Sequence, residues 1–363
     1  MKKIFAIVLC VALMLTVIAC APATTTKPTD APTEPAPVEA EYKLGMGVVV
    51  GFGSSKTGNA QVDATVATVV TDKDGKIVAC RIDVAQNKMN VTDGAVETDK
   101  TFLTKMELGD DYNMAKYGTP NVEGGTVKEW YVQTKAFENY VVGKTAAEVN
   151  AIELQEVNAH QIAVDETLLN AGCTMQITEF MAAVVKACND DQGVTFKTAG
   201  TFTLGVAAKT TAADSTAATA DADGVVKMDS DFAASVVADG KIIASLNDAI
   251  QTEIAINTLG EIVDAKLAGE GTKRERKEGY NMATYGASMD NNGDGKVLEW
   301  YVQADAFAKY VVGKTGAEVK AMETKTLDNG YVISADDALL SAGCTIQITG
   351  MKAVMATACE YAR

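Results

Sequence analysis

The chain has 363 residues, 47% of them hydrophobic, enough for the cores of two domains of ordinary size. Its formal net charge of −16 excludes nucleic-acid binding, which needs a basic face to neutralise phosphates. The same charge gives no electrostatic route to an anionic membrane, so any membrane attachment must have another source.

Taken in chain order, the N-terminus supplies one. Lys2 and Lys3 precede an apolar run over residues 4–19, too short and too terminal for a spanning helix, which reads as the core of a signal peptide covering residues 1–19. The run ends Val17-Ile18-Ala19-Cys20 and resembles the lipobox of bacterial lipoproteins. That resemblance implies a diacylated Cys20 as lipid anchor, and two acyl chains meet the requirement for stable attachment. Residues 20–41 hold five of the six prolines (Pro22, Pro28, Pro32, Pro35 and Pro37) among Thr, Ala and Glu. Such a segment buries too little to fold and reads as an extended tether. The expectation is a protein anchored on the extracytoplasmic face of the cell membrane.

The remainder repeats itself once. Asp74-Gly75-Lys76-Ile77 returns as Asp239-Gly240-Lys241-Ile242, and Tyr112-Asn113-Met114-Ala115 as Tyr280-Asn281-Met282-Ala283. Glu129-Trp130-Tyr131-Val132-Gln133 returns as Glu299-Trp300-Tyr301-Val302-Gln303, and Tyr140-Val141-Val142-Gly143-Lys144-Thr145 as Tyr310-Val311-Val312-Gly313-Lys314-Thr315. One period is therefore a whole domain: 42–188 for the first, 201–363 for the second, with 189–200 as the joint.

Within the first period, residues 62–70 and 76–85 flank Asp72-Lys73-Asp74-Gly75 as a hairpin, and 229–245 do the same around Asp239-Gly240. Residues 104–117 read as a polar loop with a short helical turn. Trp130, Ala136, Phe137, Tyr140 and Val141 fall at helical spacing, with Gly143 or Gly313 ending the helix and Thr145 capping a short one after it. Residues 173–177 alternate like a short strand. Thr178 and Thr349 then look like N-caps of final helices carrying Phe180, Met181, Val184 and Val185, or Met351, Val354 and Met355, on one face. The expected class is α+β: two tandem homologous domains, each a mostly antiparallel sheet with packed helices.

Several motifs carry less than they first suggest. Gly143-Lys144-Thr145 lacks the glycine that a phosphate loop needs, since Glu138 stands there and Ala308 in the second repeat. Asp290-Asn291-Asn292-Gly293-Asp294-Gly295 opens like a calcium loop but ends on Tyr301 instead of glutamate, so it reads as a polar turn. His160 is the only histidine, so neither a metal site nor a catalytic triad recurs in both repeats. Acidic pairs are everywhere in so acidic a chain and carry no information. The basic run over 273–277 is private to the second repeat and reads as a solvated loop. The paired aromatics, Trp130 and Trp300 among them, read mainly as core. Of seven cysteines, Cys10 leaves with the leader. Cys80 is single, while Cys173 with Cys188 and Cys344 with Cys359 recur at one spacing, as intradomain disulfides or as pairs of buried thiols.

The element that ends each period is Ala171-Gly172-Cys173-Thr174-Met175-Gln176-Ile177-Thr178 and Ala342-Gly343-Cys344-Thr345-Ile346-Gln347-Ile348-Thr349. With the Glu-Trp, Tyr-Val-Val-Gly-Lys-Thr and Asp-Gly-Lys-Ile elements, the whole period resembles the FMN-binding domain family of membrane-anchored bacterial redox proteins. The two-domain lipoprotein plan is similar to the flavinylated lipoproteins of Gram-positive extracellular electron transfer. The resemblance implies a flavin transferase as partner, which moves FMN from FAD onto a threonine of an Asp-x-x-Ser-Gly-Ala-Thr-type motif. The acceptors would be Thr174 and Thr345, with Thr178 and Thr349 as second choices and Gly172, Gly343, Cys173 and Cys344 alongside. The motif's Ser-Gly-Ala-Thr stands here as Ala-Gly-Cys-Thr, and its acid falls on Leu168 and Leu339. The implied function is an extracellular electron carrier fed by a membrane donor, with no catalytic residues of its own. The alternative is a non-redox surface lipoprotein that uses the same fold to bind a ligand or partner.

Overall fold

The computed structural model describes residues 39–284 and 297–363. The leader, Cys20, most of the tether and the acidic turn at 290–295 lie outside the described residues.

The first repeat opens with β1 (Ala40–Gly51), β2 (Asn59–Asp72) and β3 (Ile77–Asn90). The turn between β2 and β3 closes on Gly75 at φ +74°, while the Asp72 carboxylate accepts from Asp74 N and Lys76 N. Short helices follow: α1 (Lys105–Leu108), α2 (Met114–Tyr117), α3 (Trp130–Val141) and α4 (Ala146–Asn150). Thr145 caps α4 reciprocally with Glu148, and Gly143 at φ +84° turns the chain out of α3. A small hairpin of β4 (Leu154–Val157) and β5 (His160–Ala163) leads to α5 (Glu166–Ala171) and α6 (Thr178–Cys188).

Residues 189–200 are more than a joint. They hold β6 (Val194–Thr198), which pairs antiparallel with the start of β1 and gives the sheet order β3-β2-β1-β6. The second repeat builds β7 (Thr203–Thr211), β8 (Gly224–Val226), β9 (Asp229–Ala238), β10 (Lys241–Ile250), β11 (Thr252–Ile256) and β12 (Ile262–Leu267). These form one sheet in the order β10-β9-β7 and another in the order β12-β11-β8. Then come α7 (Lys273–Arg276), α8 (Trp300–Tyr310), α9 (Gly316–Lys320), the hairpin β13 (Thr324–Thr326) with β14 (Val332–Ser334), α10 (Asp337–Ser341) and α11 (Thr349–Glu360). Every strand pairing among the described residues is antiparallel. The class is α+β.

Besides a core of its own, each repeat contributes to a shared one. Leu44, Met46, Val62 and Val66 of the first sheet pack with Leu204, Val206, Phe232 and Val236 of the second in one buried cluster. The two sheets lie face to face, and residues 39–363 make a single compact unit. The outer face of each sheet carries its own helices. Ala67, Val69 and Ile82 meet Trp130, Phe137 and Val184 on one side, while Ala207, Ala233 and Ile242 meet Trp300, Phe307 and Val354 on the other. The order of layers is helix, sheet, sheet, helix.

At two glycines a helix backbone lies directly on a strand. A Cβ at Gly205 in β7 would lie 1.8 Å from the Ala358 carbonyl oxygen of α11, and one at Gly47 in β1 would lie 2.2 Å from Ala183 O of α6. Gly205→Ala must push α11 off the sheet, an overpacking cost of about 1–3 kcal/mol. A urea midpoint unchanged from wild type would contradict that.

The basic run is not a solvated loop. It forms α7, capped reciprocally by Thr272 and Glu275, and spends its charges on the rest of the chain. Arg274 is 3% exposed and binds Asp305 at 2.6 Å and Gln192 O at 3.0 Å. Lys277 pairs with Asp191 and Glu275 with Lys186, both at 2.6 Å, so the run locks the second repeat to the end of the first. An isolated reading of five charged residues could not see partners more than eighty positions away.

Candidate functional site

Gly172, at φ +100°, ends α5 and turns the chain into an irregular segment, not the expected strand; only Ile177 N reaches across, to Gln161 O at 3.1 Å. Thr178 does not cap α6. Ile177 holds the N-cap position, and Thr178 Oγ1 instead bonds Glu179 at 2.8 Å. Ile348 likewise precedes α11 with no side-chain cap, so Thr349 is the first helical residue and not the cap. In both repeats an apolar side chain buried at that point displaces the threonine by one position.

The two threonines expected to accept a flavin are held by one device. Gln133, 1% exposed on α3, accepts from Thr174 N at 2.9 Å and from Thr174 Oγ1 at 3.4 Å, while its Nε2 donates to Lys128 O at 2.8 Å. Gln303 on α8 repeats this with Thr345 N at 2.8 Å, Thr345 Oγ1 at 3.1 Å and Leu298 O at 2.8 Å. Each glutamine therefore staples the stretch before its helix to the threonine turn. These glutamines were visible as the last residue of Glu-Trp-Tyr-Val-Gln, but nothing local pointed to their partner some forty positions on.

Thr174 sits on the wall of a cleft of about 600 Å³, half-buried, with Val50, Lys105, Met114, Trp130 and Phe180 around it. Its backbone carbonyl accepts from Asn121 Nδ2 at 3.0 Å. Lys105 Nζ lies over the Tyr112 ring at 5.0 Å and the Trp130 ring at 5.7 Å, a cation–π placement that keeps a positive group at the cleft. His160 and Glu179 also line this cleft.

The second cleft, of about 670 Å³, is lined by Lys209, Asp214, Asp229, Asp231, Lys273 and Trp300, among others. Thr349 and Ile346 border it, but Thr345 is 6% exposed and is not part of its wall. Lys273 repeats the placement of Lys105, 5.1 Å from Tyr280 and 5.4 Å from Trp300. Lys209 is tied to Glu107 of the first repeat at 2.8 Å.

The cysteines beside the threonines are buried packing. Cys173 and Cys344 are 1% and 0% exposed, and burial pushes both thiols up to about 12. All five described cysteines are free, with no disulfide among them. Leu168 and Leu339, at the motif's acidic position, are fully buried core residues. The nearest acids, Asp165 and Asp336, cap α5 and α10 and accept the Tyr140 and Tyr310 hydroxyls.

Among the described residues no cluster of three or more metal-ligating side chains occurs, and no helix is long and apolar enough to cross a membrane. Lys105 is the cation on the wall of the first cleft that suits a flavin phosphate, and Lys128 lies outside that lining, over the turn. Gly172 leaves a space that a Cβ would fill within 2.3 Å of Lys128 Nζ, so an ammonium lies over the turn that presents Thr174. Fold and site together define an α+β sandwich of two repeats, each with a cleft beside a glutamine-stapled threonine turn. No family model, curated protein or solved structure matches the chain.

Proposed function

We propose that this chain is a membrane-anchored, extracytoplasmic flavoprotein electron carrier, with FMN held on a threonine of the Gly-Cys-Thr turn and Cys20 as the lipid anchor. The observation that carries this is Thr174: its hydroxyl borders a cleft of about 600 Å³, within the range of small-molecule sites, and a buried glutamine fixes its backbone. When bound, FMN would supply reversible electron uptake between a membrane donor and an external acceptor. The chain's own residues do the rest. Thr174 offers the attachment oxygen, Gln133 orients it, Lys105 supplies positive charge on the wall and Lys128 over the neighbouring Gly172, and Trp130, Met114 and Phe180 give the apolar wall.

The test is co-expression of the region from residue 39 onward with a flavin transferase, followed by intact mass and visible absorbance. Wild type is expected to turn yellow and gain FMN mass. Thr174→Val is expected to leave the peptide containing residue 174 unmodified. A colourless wild-type protein of unchanged mass, beside a control substrate that is labelled, rejects the reading.

A second reading has one observation in its favour. The cleft of the second repeat gathers Asp214, Asp229 and Asp231 around Trp300, a lining that suits a cationic organic ligand in a non-redox binding protein.

A further inference from the structure

Building on the flavin reading, we infer that the protein carries one flavin and not two: Lys128 selects Thr174 for attachment, and the second repeat is closed to it. The two repeats offer the same scaffold with opposite chemistry at one position. Residues 128 and 298 are each fixed by a carbonyl accepting 2.8 Å from the glutamine that also holds the threonine amide. In the first repeat the side chain lying over the glycine of the turn is an ammonium, with Lys128 Nζ 2.3 Å from the position of a Gly172 Cβ. In the second it is a methyl group, with Leu298 Cδ1 2.7 Å from the position of a Gly343 Cβ. A phosphodiester placed on the turn meets a cation in one repeat and hydrocarbon in the other.

A second difference, on the opposite wall, acts in the same direction. Thr65 pairs across its strand with Val84, the residue after Asp83, and Asp231 pairs with Ala249, the residue after Asp248. Asp231 therefore stands where the first repeat has a neutral threonine. Its Oδ2 occupies the space beside Gly350, 1.9 Å from where a Cβ would be, in the first turn of α11. Asp231 thus puts a strand carboxylate at the mouth of α11, where the first turn of α6 has Glu179 on the helix itself and a neutral Thr65 on the strand. The first cleft has acids of its own, Asp63 and Glu179, but no counterpart of Asp231. Thr345 is also withdrawn at 6% exposure, whereas Thr174 is half-buried.

The attachment balances without redox change. The Thr174 Oγ1 bonds to the flavin-side phosphorus of FAD, the pyrophosphate P–O bond breaks, AMP departs, and the hydroxyl proton is released to solvent. Lys128 offsets charge on that phosphorus and so is a positioning residue. The experiment co-expresses wild type, Lys128→Leu, Lys128→Arg and Leu298→Lys with a flavin transferase and reads intact mass and peptide maps. Circular dichroism checks that each variant is folded. The expected result is one FMN on the Thr174 peptide of wild type, at least a tenfold drop in loading in Lys128→Leu, and retention in Lys128→Arg. Leu298→Lys is expected to keep a single flavin, because Asp231 remains. Wild type loaded on both threonines, or Lys128→Leu loaded as fully as wild type, overturns the inference and leaves the flavin reading standing. Wild type with no flavin beside a labelled control removes that reading, and this inference with it.

Discussion

Replacing Glu138 with alanine is expected to cost the fold on the order of 3–5 kcal/mol, the usual result of removing one partner from a buried ion cluster. Glu138 is 1% exposed on α3. It accepts from Ile82 N at 2.9 Å and pairs with Arg363 at 3.1 Å and Arg81 at 3.5 Å, and Arg81 also donates to the Arg363 carbonyl. Burial pushes the Glu138 carboxyl up, and the two guanidinium groups, Arg363 first, pull it back down. Alanine removes the carboxylate between the Arg81 and Arg363 guanidinium groups and strands the Ile82 amide. The second repeat shows what a neutral version looks like: Leu246 and Ala308 stand at the matching positions, and Ser245 Oγ bonds Ala308 O at 2.8 Å. Arg81→Leu combined with Glu138→Ala is therefore expected to recover most of the loss. Urea unfolding of the single and double variants measures both effects. A single variant within 1 kcal/mol of wild type would contradict the account, as would a double variant less stable than the single.

The largest pH effect is expected from Asp83 and Asp248. Each is a strand carboxylate buried beneath a capping-box helix. Asp83 accepts from Val84 N at 2.7 Å and Met106 N at 3.1 Å, and Asp248 from Ala249 N at 2.7 Å and Arg274 N at 3.1 Å. Burial raises both from 3.8 to about 6, against the opposing pull of their hydrogen bonds. The folded state therefore holds these protons more tightly than the unfolded chain. Their contribution to stability is complete below pH 3.8 and is lost as pH rises through about 6. A shift of that size corresponds to about 3 kcal/mol for each group. Asp83→Asn with Asp248→Asn keeps an acceptor oxygen for the amides and removes the titration. The difference in melting temperature between this variant and wild type should narrow as pH falls from 7 to 4. Parallel profiles for the two proteins would sink the assignment.

Local features of the fold were legible where the signal was local. The Asp-Gly hairpin turns, the Thr145 and Thr315 caps with Glu148 and Glu318, and the helix beginning at each Glu-Trp all depend on neighbouring residues. The strand β1 was not legible. Its core residues Leu44, Met46 and Val48 alternate with Gly45 and Gly47, on which α6 lies, so no polar side chains alternate with them to mark a strand. The site was half legible. The threonine turns could be picked out, but the glutamine staples and the contrast of Lys128 with Leu298 depend on contacts that no spacing encodes. Dismissing the acids as uninformative also hid Asp83, Asp248 and Glu138. In a chain of net charge −16, composition cannot separate three buried carboxylates from dozens of solvated ones.

The shared cluster between the sheets has a consequence for how the molecule comes apart. Each half keeps a buried layer beneath its own helices, but the inner wall of its sheet is covered by the other sheet. The protein should melt in a single step, with matching calorimetric and van't Hoff enthalpies. A fragment holding one repeat would have to find a second copy of itself to hide the wall left bare.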